Sequence, residues 1–220
     1  MTGREAARVR VKICGITNRE DAEAAIALGA DALGFNLFTG SKRCISLSRE
    51  GEWIRALPPF VTRVAVLVNE PLHEARAIAE HPAIDLVQFH GDEDAAYCAA
   101  FARFGHPFIK ALRLREPESI AQAARFSTTY LLVDAYAAGA FGGTGRAVDL
   151  VLAAELAREQ PTLTLILAGG LTPTNVGRAV RAVRPFAVDV ASGVEMAPGR
   201  KARELMRAFI RRAHSAVAGT

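Results

Sequence analysis

The chain reads as an α/β protein, a single-domain (β/α)8 TIM barrel. Three observations predict this: eight short β-branched runs, eight intervening stretches with helical spacing, and strict alternation of the two along the chain. Alternating strands and helices imply parallel strands joined by crossovers, and 220 residues lie near the lower size limit for eight such units closed into a barrel. Half of the residues are apolar, and a domain of this length buries about 70% of its unfolded surface. One domain over residues 1–220 is expected, with residues 1–8 a loose N-terminal extension. The competing doubly wound open sheet would carry a Gly-rich turn after the first strand, where this chain has Cys14-Gly15-Ile16-Thr17.

The strands are expected near Arg10–Cys14, Ala32–Phe35, Arg63–Val68, Ile84–Phe89, Phe108–Leu112, Tyr130–Asp134, Thr164–Ala168 and Ala187–Ala191. The helices between and after them are expected over Arg19–Leu28, Arg49–Leu57, Leu72–Glu80, Glu93–Phe104, Pro117–Arg125, Val148–Glu159, Pro173–Val183 and Arg200–Ala213. Thr17 or Asn18 supplies a cap for the first helix, and Thr172-Pro173 a start for the seventh. No linker or low-complexity segment divides the chain.

Lys and Arg exceed Asp and Glu by 27 to 23, a net charge of +4. The dense basic run, Gly199-Arg200-Lys201-Ala202-Arg203 continued by Arg207, Arg211 and Arg212, has helical spacing and no interleaved aromatics, so it reads as a solvated face rather than a nucleic-acid surface. Cys14, Cys44 and Cys98 are odd in number and share no metal or redox spacing, which argues against a disulfide framework and a zinc site. Residues 1–11 contain no apolar signal core, and no stretch reaches the ~18 uninterrupted apolar residues of a membrane span. A soluble, cytoplasmic protein without membrane or nucleic-acid partners is expected. Monomer and homodimer both remain open.

In this architecture chemistry lies at the C-terminal strand ends. Alternation along strand one puts Val9, Val11 and Ile13 toward the helices and Lys12 and Cys14 into the barrel. Cys14 then sits at the rim, although a free cysteine is equally at home as a buried core residue. Asp134 ends the apolar run Leu131-Leu132-Val133; burial disfavours the charge of a carboxylate, which suits a general acid, while a carboxylate capping loop amides is the plainer reading. His90 lines the pocket after strand four. The loop Phe141-Gly142-Gly143-Thr144-Gly145 is able to move or to present amides to an oxyanion. Ala168-Gly169-Gly170-Leu171 and Ala191-Ser192-Gly193-Val194-Glu195 follow strands seven and eight, where barrels commonly hold phosphate. Arg43, in the long loop after strand two, matches a planar carboxylate through two parallel hydrogen bonds, or is simply a surface arginine. Strands one and eight adjoin in a closed barrel, so Lys12 is expected near both Cys14 and Asp189, its ammonium favouring the thiolate.

Together, Lys12-Ile13-Cys14-Gly15-Ile16-Thr17, Gly34-Phe35 through Ser41-Lys42-Arg43, Gln88-Phe89-His90-Gly91, Asp134 with Gly142-Gly143-Thr144-Gly145, Leu167-Ala168-Gly169-Gly170-Leu171 with Asn175-Val176, and Val188-Asp189-Val190-Ala191-Ser192-Gly193-Val194-Glu195 resemble the phosphoribosylanthranilate isomerases of tryptophan biosynthesis. The resemblance runs from strand one to strand eight. It implies a cofactor-free Amadori rearrangement of the small-molecule substrate phosphoribosylanthranilate, with Asp134 as general acid and Cys14 as general base. It further implies that the amides of Gly169, Gly170, Ser192 and Gly193 bind the 5-phosphate and that Arg43 takes the anthranilate carboxylate. His90 would line the pocket and Asp189 contact a sugar hydroxyl. Lys42, Cys44, Phe89, Ala191 and Ala202 depart from the residues usual in the family. The rivals are another barrel enzyme acting on a phosphorylated sugar or indole precursor, a silent barrel that senses such a metabolite, and a redox role for the cysteines. A bifunctional isomerase would be expected to have Asp in place of Cys14.

Overall fold

A parallel strand must be followed by a segment that carries the chain back over the sheet before the next strand begins, and each β-branched run here is followed by one helix that does so. The computed structural model describes residues 8–114, 116–135 and 148–216. The strands are β1 (Arg10–Cys14), β2 (Ala32–Asn36), β3 (Thr62–Leu67), β4 (Leu86–Phe89), β5 (Phe108–Leu114), β6 (Tyr130–Ala135), β7 (Thr164–Leu167) and β8 (Ala187–Val190). They pair in sequence order, and β8 returns to β1 with Lys12 opposite Asp189, so the sheet closes into a barrel of eight parallel strands. The helices are α1 (Arg19–Ala27), α2 (Leu47–Arg55), α3 (Leu72–Ala79), α4 (Ala95–Ala102), α5 (Glu118–Ala123), α6 (Leu150–Glu159), α7 (Val176–Val183) and α8 (Arg203–Ser215). Between β8 and α8 lies a short antiparallel pair, β9 (Glu195–Ala197) with β10 (Arg200–Lys201).

The period-2 pattern of each strand divides its side chains between two apolar layers. Val64, Ile109, Ala111, Leu132, Ile166, Ala168 and Ala187 fill the barrel interior. Val11, Ile13, Leu131, Val133, Val188 and Val190 point outward and pack against the helices, joined there by Phe209 and Ile210 of α8. The outer face of β4 is aromatic: the Phe89 and Phe101 rings meet edge to face, with centroids 4.9 Å apart. Among the described residues no helix is long and apolar enough to cross a membrane.

α1 and α3 begin where expected, and the other six helix starts differ by one to three residues; at α7 and α8 the reason is local. α1 is capped by Asn18, one of the two caps expected, its side chain accepting from the Asp21 amide. α7 begins at Val176 rather than Pro173, because Asn175 ties the preceding turn: its Oδ1 accepts from the Thr172 amide and its Nδ2 donates to the Gly170 carbonyl. α8 begins at Arg203 rather than Arg200, because Arg200 and Lys201 belong to β10. Of the expected N-terminal extension, Arg8 is bonded to Asp31 at 2.6 Å and to His214 at 2.8 Å; residues 1–7, like the Gly142–Gly145 segment, lie outside the described residues.

Candidate active site

The inward positions of β1 are polar, and they meet a polar partner on β8. Lys12 Nζ donates to Asp189 Oδ1 at 2.7 Å, with both side chains buried. Burial works against the ammonium, but the charge of Asp189 and then the proximity of Cys14 outweigh it, so the Lys12 pKa lies above its ordinary value. Cys14, two residues along and half-buried, faces the same interior. Gly34 on the neighbouring β2 makes room for both groups: a Cβ there would come within 2.6 Å of the Cys14 Sγ and 3.0 Å of the Lys12 Nζ. Lys12 does favour the thiolate, as expected, yet burial outweighs it and Asp189 adds to burial, so the Cys14 pKa is raised.

Beside Cys14 runs a chain of buried charge. Arg43 packs its Cδ across Gly15, where an added Cβ would lie 2.4 Å away. The bidentate pairing expected of Arg43 is made within the chain, with Glu195: Nε to Oε1 at 2.8 Å and Nη2 to Oε2 at 2.6 Å. Lys201 Nζ donates to the same Glu195 Oε1 at 2.7 Å, to the Cys14 carbonyl at 2.6 Å and to the Ala191 carbonyl at 3.2 Å. Burial would raise the Glu195 pKa, but hydrogen bonds from Arg43 and Lys201 overcome it and hold the carboxyl below its ordinary value. Lys201 itself is pushed down by burial, against the pull of Glu195. Reading Lys201 as part of a solvated basic face was therefore wrong, since its side chain is 0% exposed.

Asp134, the penultimate residue of β6, lies on the inward face that also carries Leu132, and it is buried. Across the mouth, His90 Nε2 lies 3.2 Å from Asp134 Oδ2, and the Gln88 amide nitrogen lies 2.8 Å from His90 Nδ1. A Gln88 N–H donated to Nδ1 leaves Nε2 to carry the ring hydrogen, directed at Asp134. Arg113 of β5 stands in register with Asp134, its Nη1 donating to Asp92 at 3.1 Å.

The loops after β7 and β8 abut. Gly169 and Gly170 both have positive φ, at 84° and 63°, which turns the chain sharply after the strand. Gly193 sits so close to the other loop that a Cβ would lie 1.9 Å from the Leu171 carbonyl oxygen. Among the described residues, the amide N–H groups of Gly169, Gly170, Ser192 and Gly193 donate to no protein acceptor. Ser192–Val194 form a single 3-10 turn after β8. Free amides on two touching loops suit an oxyanion with several acceptor oxygens.

All nine residues singled out from the sequence thus lie at or beside the C-terminal strand ends. Reasoning from sequence gave no role to Glu195, Lys201, Gly34 or Gln88, although Gly34 and Gln88 also stand in motifs that carry the resemblance. Glu195 stood in a quoted motif, but nothing in one dimension says that it meets Arg43, 152 residues away.

A family model described as N-(5'phosphoribosyl)anthranilate (PRA) isomerase matches residues 11–212. The chain belongs to the N-(5'-phosphoribosyl)anthranilate isomerase family. The isomerase of Neisseria meningitidis serogroup C is 46% identical over 205 residues, 92% of this chain and 95% of its own. That of Pseudomonas fluorescens is 48% identical over 204 residues, 92% and 97% of the two chains. The crystal structure of the Thermotoga maritima isomerase superposes with a TM-score of 0.85 at 38% identity, over 94% of this chain and 99% of its own. A second isomerase structure, solved with reduced 1-(o-carboxyphenylamino)-1-deoxyribulose 5-phosphate, has a TM-score of 0.81 at 36% identity over the same shares.

Proposed function

We propose that this isomerase converts N-(5-phosphoribosyl)anthranilate to 1-(2-carboxyphenylamino)-1-deoxyribulose 5-phosphate, with Asp134 as general acid and Cys14 as general base. The observation that carries the assignment is that both groups lie on the inner wall of one barrel at the same strand ends, each with its own polar partner. Asp134, as the acid, gives its proton to the furanose ring oxygen. The C1–O bond breaks toward that oxygen, and the anilino nitrogen lone pair forms the C1=N bond of a cationic Schiff base. Cys14 then takes the C2 proton, the C2–H electrons form the C1=C2 bond of an enolamine, and the C1=N π electrons return to nitrogen. Protonation at C1 with loss of the C2 hydroxyl proton gives the ketone.

C1 is reduced as C2 is oxidised, so the electrons balance within the substrate and no cofactor is needed. The reaction class is an intramolecular oxidoreduction. The raised pKa of Cys14 fits this order of events, because the Schiff-base cation supplies a positive charge beside the sulfur only after the ring has opened. His90 orients Asp134. The amides of Gly169, Gly170, Ser192 and Gly193 take the 5-phosphate. Arg43, its plane fixed by Glu195, meets the anthranilate carboxylate through its Nη1 edge, and the Asp189 carboxylate contacts a sugar hydroxyl. We take the enzyme to work in the cytoplasm, as a monomer or a homodimer.

The test is turnover itself. The substrate's anthranilate fluorescence, followed with and without the purified protein, is expected to decay steadily in its presence; a signal no faster than the uncatalysed background contradicts the proposal.

A further inference from the structure

We infer that Lys201 is a positioning residue for the isomerisation: one buried ammonium clamps the carbonyls of Cys14 and Ala191, fixing the base against the loop that takes the phosphate. This rests on the reading of Cys14 as the base. The β1–β8 ladder ends at the pair Ile13 and Val190, and the Lys201 ammonium bridges the next carbonyl on each side. Its third hydrogen goes to Glu195, so three acceptors match the three N–H bonds of an ammonium. The backbone behind it is also held, because the Lys201 amide donates to Asp21 Oδ2 at 2.9 Å.

Stability alone gives little reason to place a lysine here, since buried ion pairs are often replaceable by apolar residues without loss. The choice of acceptors gives a better one. Cys14 carries the sulfur, Ala191 precedes Ser192 of the phosphate loop, and Glu195 fixes the plane of Arg43. A single side chain therefore joins the three parts of the site that must keep their distances during proton transfer. A displacement on the order of 1 Å in such a constellation is enough to cost about a hundredfold in rate.

Among the described residues, four charged groups face Cys14: Lys12 on its own strand, Asp189 on β8, Lys201 on β10, and Arg43 in the loop after β2. Of these, Lys201 favours the thiolate, so its removal has a signature that a purely structural role lacks.

The experiment compares Lys201→Met and Lys201→Gln with the wild-type chain, measuring kcat and KM and the pH dependence of Cys14 alkylation by iodoacetamide, read by peptide mass spectrometry. Lys201→Met is expected to lower kcat/KM about tenfold or more and to move the alkylation midpoint to higher pH. Lys201→Gln keeps a donor for a carbonyl without the charge; it is expected to recover part of kcat/KM while the midpoint stays displaced, and it carries the test alone should the Met variant fail to fold. A folded variant with wild-type kcat/KM and an unmoved midpoint overturns the inference, and so does loss of activity with an unmoved midpoint. A Cys14→Ser variant with full turnover removes the base assignment instead, while the alkylation shift still judges Lys201.

Discussion

Lys12 and Asp189 form an ion pair 2.7 Å long between the neighbouring strands β1 and β8, with side-chain exposures of 4% and 9%. Removing one partner of such a pair leaves the other charged and without compensation in a low-dielectric interior. Asp189→Asn is therefore expected to destabilise the fold by roughly 3–5 kcal/mol, measured by urea unfolding at neutral pH. A change of under about 1 kcal/mol would mean that the pair contributes no more than an exposed one.

Glu195 contributes a pH-dependent part of stability. Its folded pKa lies below the ordinary 4.5, so its contribution is complete above that pH and is lost as pH falls through the folded value. Glu195→Gln resembles the protonated form at every pH. The stability gap between wild type and this variant is expected to be largest near neutrality and to shrink below pH 4.5. A gap that stays constant down to the acid limit contradicts the account. Lys12 acts at the other extreme: its raised pKa makes its contribution complete below 10.5 and lost as pH rises through the folded value.

Gly193 has no room for a methyl group, because the Leu171 carbonyl oxygen occupies the place. Gly193→Ala must push the loops after β7 and β8 apart. KM for the phosphorylated substrate is expected to rise about tenfold or more, and inhibition by inorganic phosphate to weaken alongside. An unchanged KM would remove these loops from the phosphate site.

Ala202 is the N-cap of α8, has extended backbone, and offers no side-chain acceptor. An aspartate there would accept from a first-turn amide and place negative charge at the positive end of the helix. Ala202→Asp is expected to stabilise the fold by about 1 kcal/mol, read as a higher urea midpoint, with kcat unchanged. A lower midpoint contradicts the capping argument.

What the sequence made legible was what alternation and strand order encode. Val11 and Ile13 outward force Lys12 and Cys14 inward, and closure of the barrel brings β8 and with it Asp189 alongside. The two loops with free amides were legible because glycines stood after the last two strands of the expected barrel. Contacts between loops distant in sequence were not legible. The bond between His90 and Asp134 links β4 and β6 across the mouth, and Arg43 with Glu195 links the loop after β2 to β9. Lys201 was misread because its neighbours Arg200 and Arg203 have helical spacing, and only the β9–β10 pairing turns it inward. Gly34 stood in a matching motif without a role, since its value lies in the sulfur and ammonium packed over it.

The central claim is that Cys14 and Asp134 transfer protons while other groups hold the substrate. Binding and turnover measured side by side in Cys14→Ser and Asp134→Asn test it most directly, with reduced 1-(o-carboxyphenylamino)-1-deoxyribulose 5-phosphate as the binding probe. Both variants are expected to bind the probe within about tenfold of wild type while kcat falls by more than about a hundredfold. Wild-type turnover in either variant would contradict the assignment of that residue, and loss of probe binding equal to the loss of turnover would make it a binding group instead.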